Sequence, residues 1–318
     1  MQALEPHKQV NARVAICVTT FHRRELLRQL LEGISRLNFV KMPRPDVLIV
    51  VVDNDVARGA ADVCDSVALP WPAKYVVEPR RGIAQARNRA IREAEDPDFL
   101  AFLDDDETPT PPWLDELLWT QACFDCDVVC GPVLPRFSSS VPEWVKAGKF
   151  FSKQVFTTGQ TLESCSTANV LISRKVIAFA RAFDERFGLT GGEDTHFFLR
   201  ARKAGFNIIC SGGAVVYETV PTSRASLKGL LRRAYQSGNS WVLCESTVDH
   251  RIFSRVSRLA KASVRILQGL LAICIAPVFG KAALAQALSN LFLGVGMIAA
   301  LAGWSFQAYQ SAAANPGK

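Results

Sequence analysis

The sequence predicts an α/β fold with a mostly parallel central sheet flanked by helices, followed by a C-terminal helical segment that associates with a membrane. Three observations lead there. Short, wholly apolar runs alternate with segments of helical periodicity. Hydroxyl and acidic residues collect just past the ends of those runs, where open α/β sheets bind ligands. From Arg251 onward the chain carries no acidic residue and becomes first basic and then apolar. With 318 residues and 49% hydrophobic content, it can bury a large core as one large or two modest domains.

Val14 to Val18 is the first apolar run. After Thr19-Thr20-Phe21-His22, the residues Leu26, Leu27, Leu30, Leu31, Ile34 and Leu37 recur at helical spacing, so a strand feeds a helix. Val47 to Val52 and Tyr75 to Val77 read as strands, Gly82 to Ala94 as a polar-faced helix, and Phe99 to Leu103 as a fourth strand. Strands that are apolar along their whole length are buried on both faces, as in parallel sheets. Between Gly131 and Glu218 the pattern loosens. Leu134 to Phe156 is rich in Pro, Ser, Lys and aromatics and reads as loop-bearing, Cys165 to Ser173 as a strand, and Thr195 to Lys203 as a helix closed by Gly205. Ser226 to Glu245 is a further helix.

The formal charge of +7 suits an anionic partner. The basic run Arg251, Arg255, Arg258, Lys261 and Arg265 adjoins the apolar stretches Ile266 to Phe279 and Ala282 to Trp304. That placement favours a membrane surface and argues against nucleic acid, which calls for basic residues interleaved with aromatics. A transmembrane or re-entrant hairpin turning near Pro277 to Lys281, amphipathic helices in the interface, and a soluble helical cap all fit the pattern. Nine scattered cysteines and an opening Met1-Gln2-Ala3-Leu4-Glu5-Pro6 without a secretory pattern read as reduced, cytosolic thiols. Cys123, Cys126 and Cys130 lack a nearby fourth Cys or His for a tetrahedral site and read as buried apolar residues.

The chemistry concentrates in Asp104-Asp105-Asp106-Glu107, at the end of an apolar strand. Carboxylates so crowded repel one another unless a positive group sits among them. Mg²⁺ or Mn²⁺, bound through one or two carboxylates and the phosphates of a substrate, would supply it, and a solvated acidic turn is the plain alternative. Asp53-Asn54-Asp55 marks a neighbouring strand end, and Gly191-Gly192-Glu193-Asp194 opens a helix, where an acid also serves as a cap.

Taken in order, Val18-Thr19-Thr20-Phe21-His22-Arg23, Val51-Val52-Asp53-Asn54-Asp55, Arg81-Gly82-Ile83-Ala84-Gln85-Ala86-Arg87-Asn88, Phe102-Leu103-Asp104-Asp105-Asp106 and Gly192-Glu193-Asp194 resemble a family 2 glycosyltransferase of the GT-A fold over roughly residues 12 to 240. Through Ala101 to Thr108, Gly191 to Thr195 and Arg224-Ala225-Ser226-Leu227, the chain is most similar to the ExoM-type bacterial exopolysaccharide glucosyltransferases of succinoglycan assembly. The resemblance implies a GT-A domain over 1–245, with a nucleotide-sugar half at 12–130 and an acceptor half at 131–245, and a membrane-associating segment at 246–318.

It also implies roles. Thr19, Phe21 and Asp53 would hold base and ribose, with Arg23 on the donor side. Arg87 would face diphosphate or base, or else form a salt bridge within the fold. Asp104 and Asp106 match the outer acids of the Asp-x-Asp pattern, with Asp106 as direct metal ligand. Asp105 belongs to the donor group, although a neighbour on an extended segment faces the opposite side. Asp194 would be the general base of an inverting transfer and Glu193 an acceptor contact. Where relatives often carry Val-His-Glu, this chain has Val216-Tyr217-Glu218. Glu218 or water would then complete the metal site, since tyrosine replaces imidazole poorly near neutral pH.

The implied function is addition of a single hexose, glucose from UDP-glucose, to a polyprenyl-diphosphate-linked oligosaccharide at the cytoplasmic face of a bacterial inner membrane. The processive Gln-x-x-Arg-Trp motif is absent. The alternatives are a polyprenyl-phosphate sugar transferase and a catalytically impaired, sugar-nucleotide-binding scaffold.

Overall fold

The computed structural model describes residues 11–151, 157–249 and 251–308. The opening Met1 to Pro6 and the last ten residues of the C-terminal segment lie outside the described residues. In chain order the elements begin β1 (Arg13–Thr20), α1 (Arg24–Ser35), β2 (Asp46–Asp53), α2 (Ala61–Ser66), β3 (Ala73–Val77), α3 (Ile83–Glu93) and β4 (Phe99–Asp104). Then come β5 (Glu107–Pro109), α4 (Trp113–Phe124), β6 (Val128–Cys130), β7 (Val133–Phe137), α5 (Glu143–Ala147), β8 (Asn169–Ser173) and α6 (Arg174–Ala180). The last are α7 (Glu193–Lys203), β9 (Ile208–Cys210), β10 (Val216–Val220), α8 (Leu227–Val248), α9 (Ile252–Phe279) and α10 (Lys281–Leu301).

Two compact units share these elements. The first comprises Met1–Leu134, Lys153–Gly188 and Phe197–Glu218, and the second Pro135–Ser152, Leu189–His196 and Thr219–Lys318.

The first unit is built on a seven-stranded sheet of order β3-β2-β1-β4-β8-β6-β9. The pairings among β3, β2, β1 and β4 are parallel, as is β6 with β9, while β8 runs antiparallel to both β4 and β6. The parallel strands carry apolar residues on both faces, and both faces are covered. Val14, Ile16, Val18, Ile49 and Val51 pack with Leu27, Leu30, Leu31 and Ile34 of α1 and with Trp113, Leu114 and Leu117 of α4. Ala15, Cys17, Val50, Val52, Leu100 and Phe102 pack with Ala84, Ala86 and Ala90 of α3 and with Phe197 and Phe198 of α7. Each fully buried aliphatic or aromatic side chain contributes about 1.5–3 kcal/mol. The strand expected over Cys165 to Ser173 begins only at Asn169, where pairing with β4 starts, opposite Leu103. Cys123, Cys126 and Cys130 are buried free thiols, and burial pushes the Cys126 thiol up to about 12.

In the second unit α8, α9 and α10 pack together through Val242, Ala262, Met297 and Ala300. A second cluster joins Val141, Val145 and Phe151 to Val220, Ala225, Leu230 and Ala285. Ser226 is the N-cap of α8, its Oγ accepting from the Gly229 N–H at 3.1 Å. Ile252–Ala276 and Lys281–Leu301 are each long and apolar enough to cross a membrane.

Candidate active site

In-register parallel pairing sets Thr20 beside Asp53 and Thr19 beside Asp104, so the carboxyl ends of β1, β2 and β4 form one polar edge. Asp53 is 1% exposed. Its Oδ1 accepts from the Asp55 N–H (3.0 Å), and its Oδ2 from the Ala60 N–H (3.1 Å) and the Tyr75 hydroxyl (2.7 Å). Burial and this bond hold the Tyr75 hydroxyl well above its usual range, so it stays a donor. The carboxylate assigned to the base by resemblance therefore also ties down the loop after β2.

Asn54 fixes the next loop. Its amide donates to the carbonyls of Glu78 (2.8 Å) and Arg80 (2.9 Å), and its Oδ1 accepts from the Gly82 N–H (2.9 Å). Gly82 has φ 142°, a backbone conformation that calls for glycine before α3. Asn88 in turn holds the backbone of Phe183 through both amide atoms (2.9 and 2.8 Å).

Two arginines offset part of the charge of the acidic cluster. Arg87, 5% exposed, reaches from α3 to Asp104 Oδ1 at 2.9 Å, so the ion pair within the fold is present. Glu107 Oε2 accepts the Asp104 N–H at 3.0 Å. One Arg23 nitrogen bridges Asp105 Oδ1 (2.8 Å) and Asp106 Oδ2 (3.1 Å), while Thr20 donates to Asp105 Oδ2 (2.9 Å). Asp105 does not face away from Asp106 as strand alternation implied. Both carboxylates meet the same guanidinium because β4 ends at Asp104 and the two residues form a turn. Burial pushes the Asp105 carboxyl up to about 6, against the opposing pull of Arg23.

Phe21 lies just beyond β1. The Arg81 guanidinium stacks over its ring at 3.1 Å to the centroid, and His22 contacts it edge-on. The sequence reading named Arg81 only as part of a motif and missed the stack, whose partners are far apart in the chain.

β5 and β10 pair antiparallel with Tyr217 opposite Thr108 and Glu218 opposite Glu107. Directly opposed residues share a face, so Glu218 stands across from the residue that follows Asp106, and Tyr217 alternates to the other face. Among the described residues no group of three or more His, Cys, Asp or Glu side chains could by itself hold a metal ion. The donors at the end of β4 are hard carboxylates, which suit Mg²⁺ or Mn²⁺ when substrate phosphates and water supply the other ligands.

In the second unit the turn at Gly191-Gly192 leads into α7. Gly192 has φ 97°, its carbonyl accepts from Cys244 Sγ of α8 at 3.0 Å, and a Cβ there would meet that sulfur at 2.8 Å. Glu193 is buried and Asp194 half-buried. Asp194 lies inside the first turn of α7, not at its cap, with Oδ1 accepting from the Thr195 N–H at 2.6 Å.

Residues 15–179 match the family described as Glycosyl transferase family 2, and residues 99–307 match Glycosyl transferase family group 2. The chain is 32% identical over 238 residues to the succinoglycan biosynthesis protein ExoM of Rhizobium meliloti (strain 1021), covering 74% of this chain and 75% of that one. Its fold is similar to that of the mannosyltransferase PcManGT from Pyrobaculum calidifontis, solved with GDP-Man and Mn²⁺ (TM-score 0.64, 18% identity, 94% and 89% of the two chains). It is also similar to S. aureus TarS 1-349 solved with UDP-GlcNAc (TM-score 0.52, 14% identity, 92% of each chain). With the GT-A architecture of its sheet and the order of its motifs, the chain belongs to glycosyl transferase family 2.

Proposed function

We propose that this transferase moves a single hexose, glucose from UDP-glucose, onto a polyprenyl-diphosphate-linked oligosaccharide in bacterial exopolysaccharide biosynthesis, with inversion at the anomeric carbon. The observation that carries the reading is the acidic turn after β4, balanced by Arg23 and Arg87 beside the β1 and β2 ends, in a chain related to ExoM.

Thr19, Phe21 and Asp53 bind the nucleoside, the aromatic face of Phe21 packing on it. Arg23 and Arg87 have counter-charges to exchange when a diphosphate arrives, which guanidinium groups do well. Asp104 and Asp105 line the donor side, and Asp106 with Glu218 would hold Mg²⁺ or Mn²⁺. When bound, the cation neutralises charge developing on the leaving nucleoside diphosphate. Asp194 accepts the proton of the attacking acceptor hydroxyl, and Glu193 contacts the acceptor. The exposed apolar residues of α9 and its basic run support attachment to the cytoplasmic face of the inner membrane, where a lipid-linked acceptor is confined.

The test is a donor screen with purified protein, Mn²⁺ or Mg²⁺ and a lipid-linked oligosaccharide, followed by linkage analysis. Label from UDP-glucose in a lipid one hexose larger is expected. A monosaccharide lipid formed from polyprenyl phosphate alone would move the assignment to a polyprenyl-phosphate sugar transferase.

A further inference from the structure

The packing of α9 divides its surface into two sides. Arg258, Ala262, Gly269 and Ala276 are buried at helical spacing and form the seam toward α8 and α10. Along that seam the helices approach closely through small residues. A Cβ on Gly269 would lie 2.7 Å from the Leu291 nitrogen, and one on Gly294 would lie 2.6 Å from Ile266 Cγ1 and 2.9 Å from the Ala262 carbonyl oxygen. Arg258 anchors the start of the seam, bonded to the carbonyls of Glu245 (2.9 Å) and Asp249 (2.7 Å) and to Glu245 Oε2 (3.2 Å).

The other side is a largely apolar stripe facing outward, with Ser263 as a polar member. Phe253 is 84% exposed, Val256 58%, Leu267 57%, Leu271 62% and Val278 84%. Exposed Lys261 and Arg265 fall toward one border of the stripe and Arg255 toward the other. The stripe spans the whole helix, about 42 Å at 1.5 Å per residue, longer than the hydrocarbon core of a bilayer at about 30 Å.

We infer that α9 lies flat in the membrane interface, its outer stripe among the acyl chains and Lys261, Arg265 and Arg255 at anionic headgroups, so that the chain is held on one leaflet without crossing it. The inference rests on the membrane attachment proposed above and fixes its mode. A span over Ile252–Ala276 would put Lys261 and Arg265 within the hydrocarbon, which is costly for both. Lying flat leaves them in the headgroup layer, where long basic side chains extend readily.

The test uses the full-length protein and preformed vesicles of phosphatidylcholine with or without phosphatidylglycerol. The wild type is expected to float with the anionic vesicles. Leu267→Glu/Leu271→Glu is expected to reduce binding by roughly tenfold or more, and Lys261→Glu/Arg265→Glu by roughly fivefold or more. UDP binding by all three proteins reports that the first unit is intact. No flotation of wild type overturns the attachment itself. Equal flotation of all three proteins, or a dimer in solution that Leu267→Glu/Leu271→Glu dissociates, overturns the stripe as the lipid contact. In oriented native vesicles, an impermeant maleimide should reach Lys281→Cys from the same face as Arg36→Cys in the first unit, mapped by mass spectrometry. Labelling from opposite faces, with flotation retained, overturns the flat placement while leaving attachment standing.

Discussion

The β4 turn and helix α9 handle their awkward groups in opposite ways. At the turn, carboxylates that would repel one another sit side by side, Asp105 and Asp106 buried and Asp104 partly exposed, and these three have cationic or hydroxyl partners: Arg87 for Asp104, Arg23 and Thr20 for Asp105, Arg23 for Asp106. On α9, large apolar side chains that would normally be buried are turned outward, while small residues and Arg258 face the neighbouring helices. Buried paired charge and exposed unpaired apolar surface both depart from the ordinary rule for folded proteins. On the function proposed above, the first is where an arginine would exchange its carboxylate partner for a substrate phosphate. The second is the surface that the inferred placement sets against lipid.

The substitutions that separate these accounts differ in size. Asp194→Asn should lower transfer by roughly 10²–10⁴-fold while UDP affinity changes little, read by turnover and calorimetry. Asp106→Ala should weaken cation-dependent UDP binding by about tenfold or more, with the difference from wild type lost in chelator. If both variants fail in binding and turnover alike, the division between base and metal ligand is wrong. Asp53→Ala removes a buried acceptor from two N–H groups and the Tyr75 hydroxyl, and should cost about 2–4 kcal/mol in urea unfolding. A negligible cost would mean that the loop holds itself. Val278→Ser, on the exposed stripe, should change unfolding stability by less than about 0.5 kcal/mol yet reduce retention on anionic vesicles. A large loss of stability would show that the stripe is covered within the protein.

Much of the first unit was legible because its central strands are continuous apolar runs and its candidate site acids sit directly after them. Val14 to Val18 and Val47 to Val52 lie within β1 and β2, and Phe99 to Leu103 within β4. The three-residue strands β5, β6 and β9 were not legible, since three residues carry no period. Nor was the direction of Asp105, which depends on where β4 stops. The partnership of Arg23 with Asp105 spans 82 positions in sequence and that of Asp53 with Tyr75 spans 22, so only the folded sheet brings them together. On α9 the sequence left a hairpin and an interfacial helix both open. The position of the glycine seam against α10 distinguishes the two sides of the helix, and that is a property of packing.

The most direct test of the central claim is transfer itself, with labelled UDP-glucose, purified full-length protein, Mn²⁺ and a polyprenyl-diphosphate-linked oligosaccharide. The account predicts a lipid product one hexose larger, with the anomeric configuration inverted, and loss of that product in chelator and in Asp194→Asn. Binding of UDP-glucose without turnover on any lipid-linked acceptor would contradict it and leave a sugar-nucleotide-binding scaffold in its place.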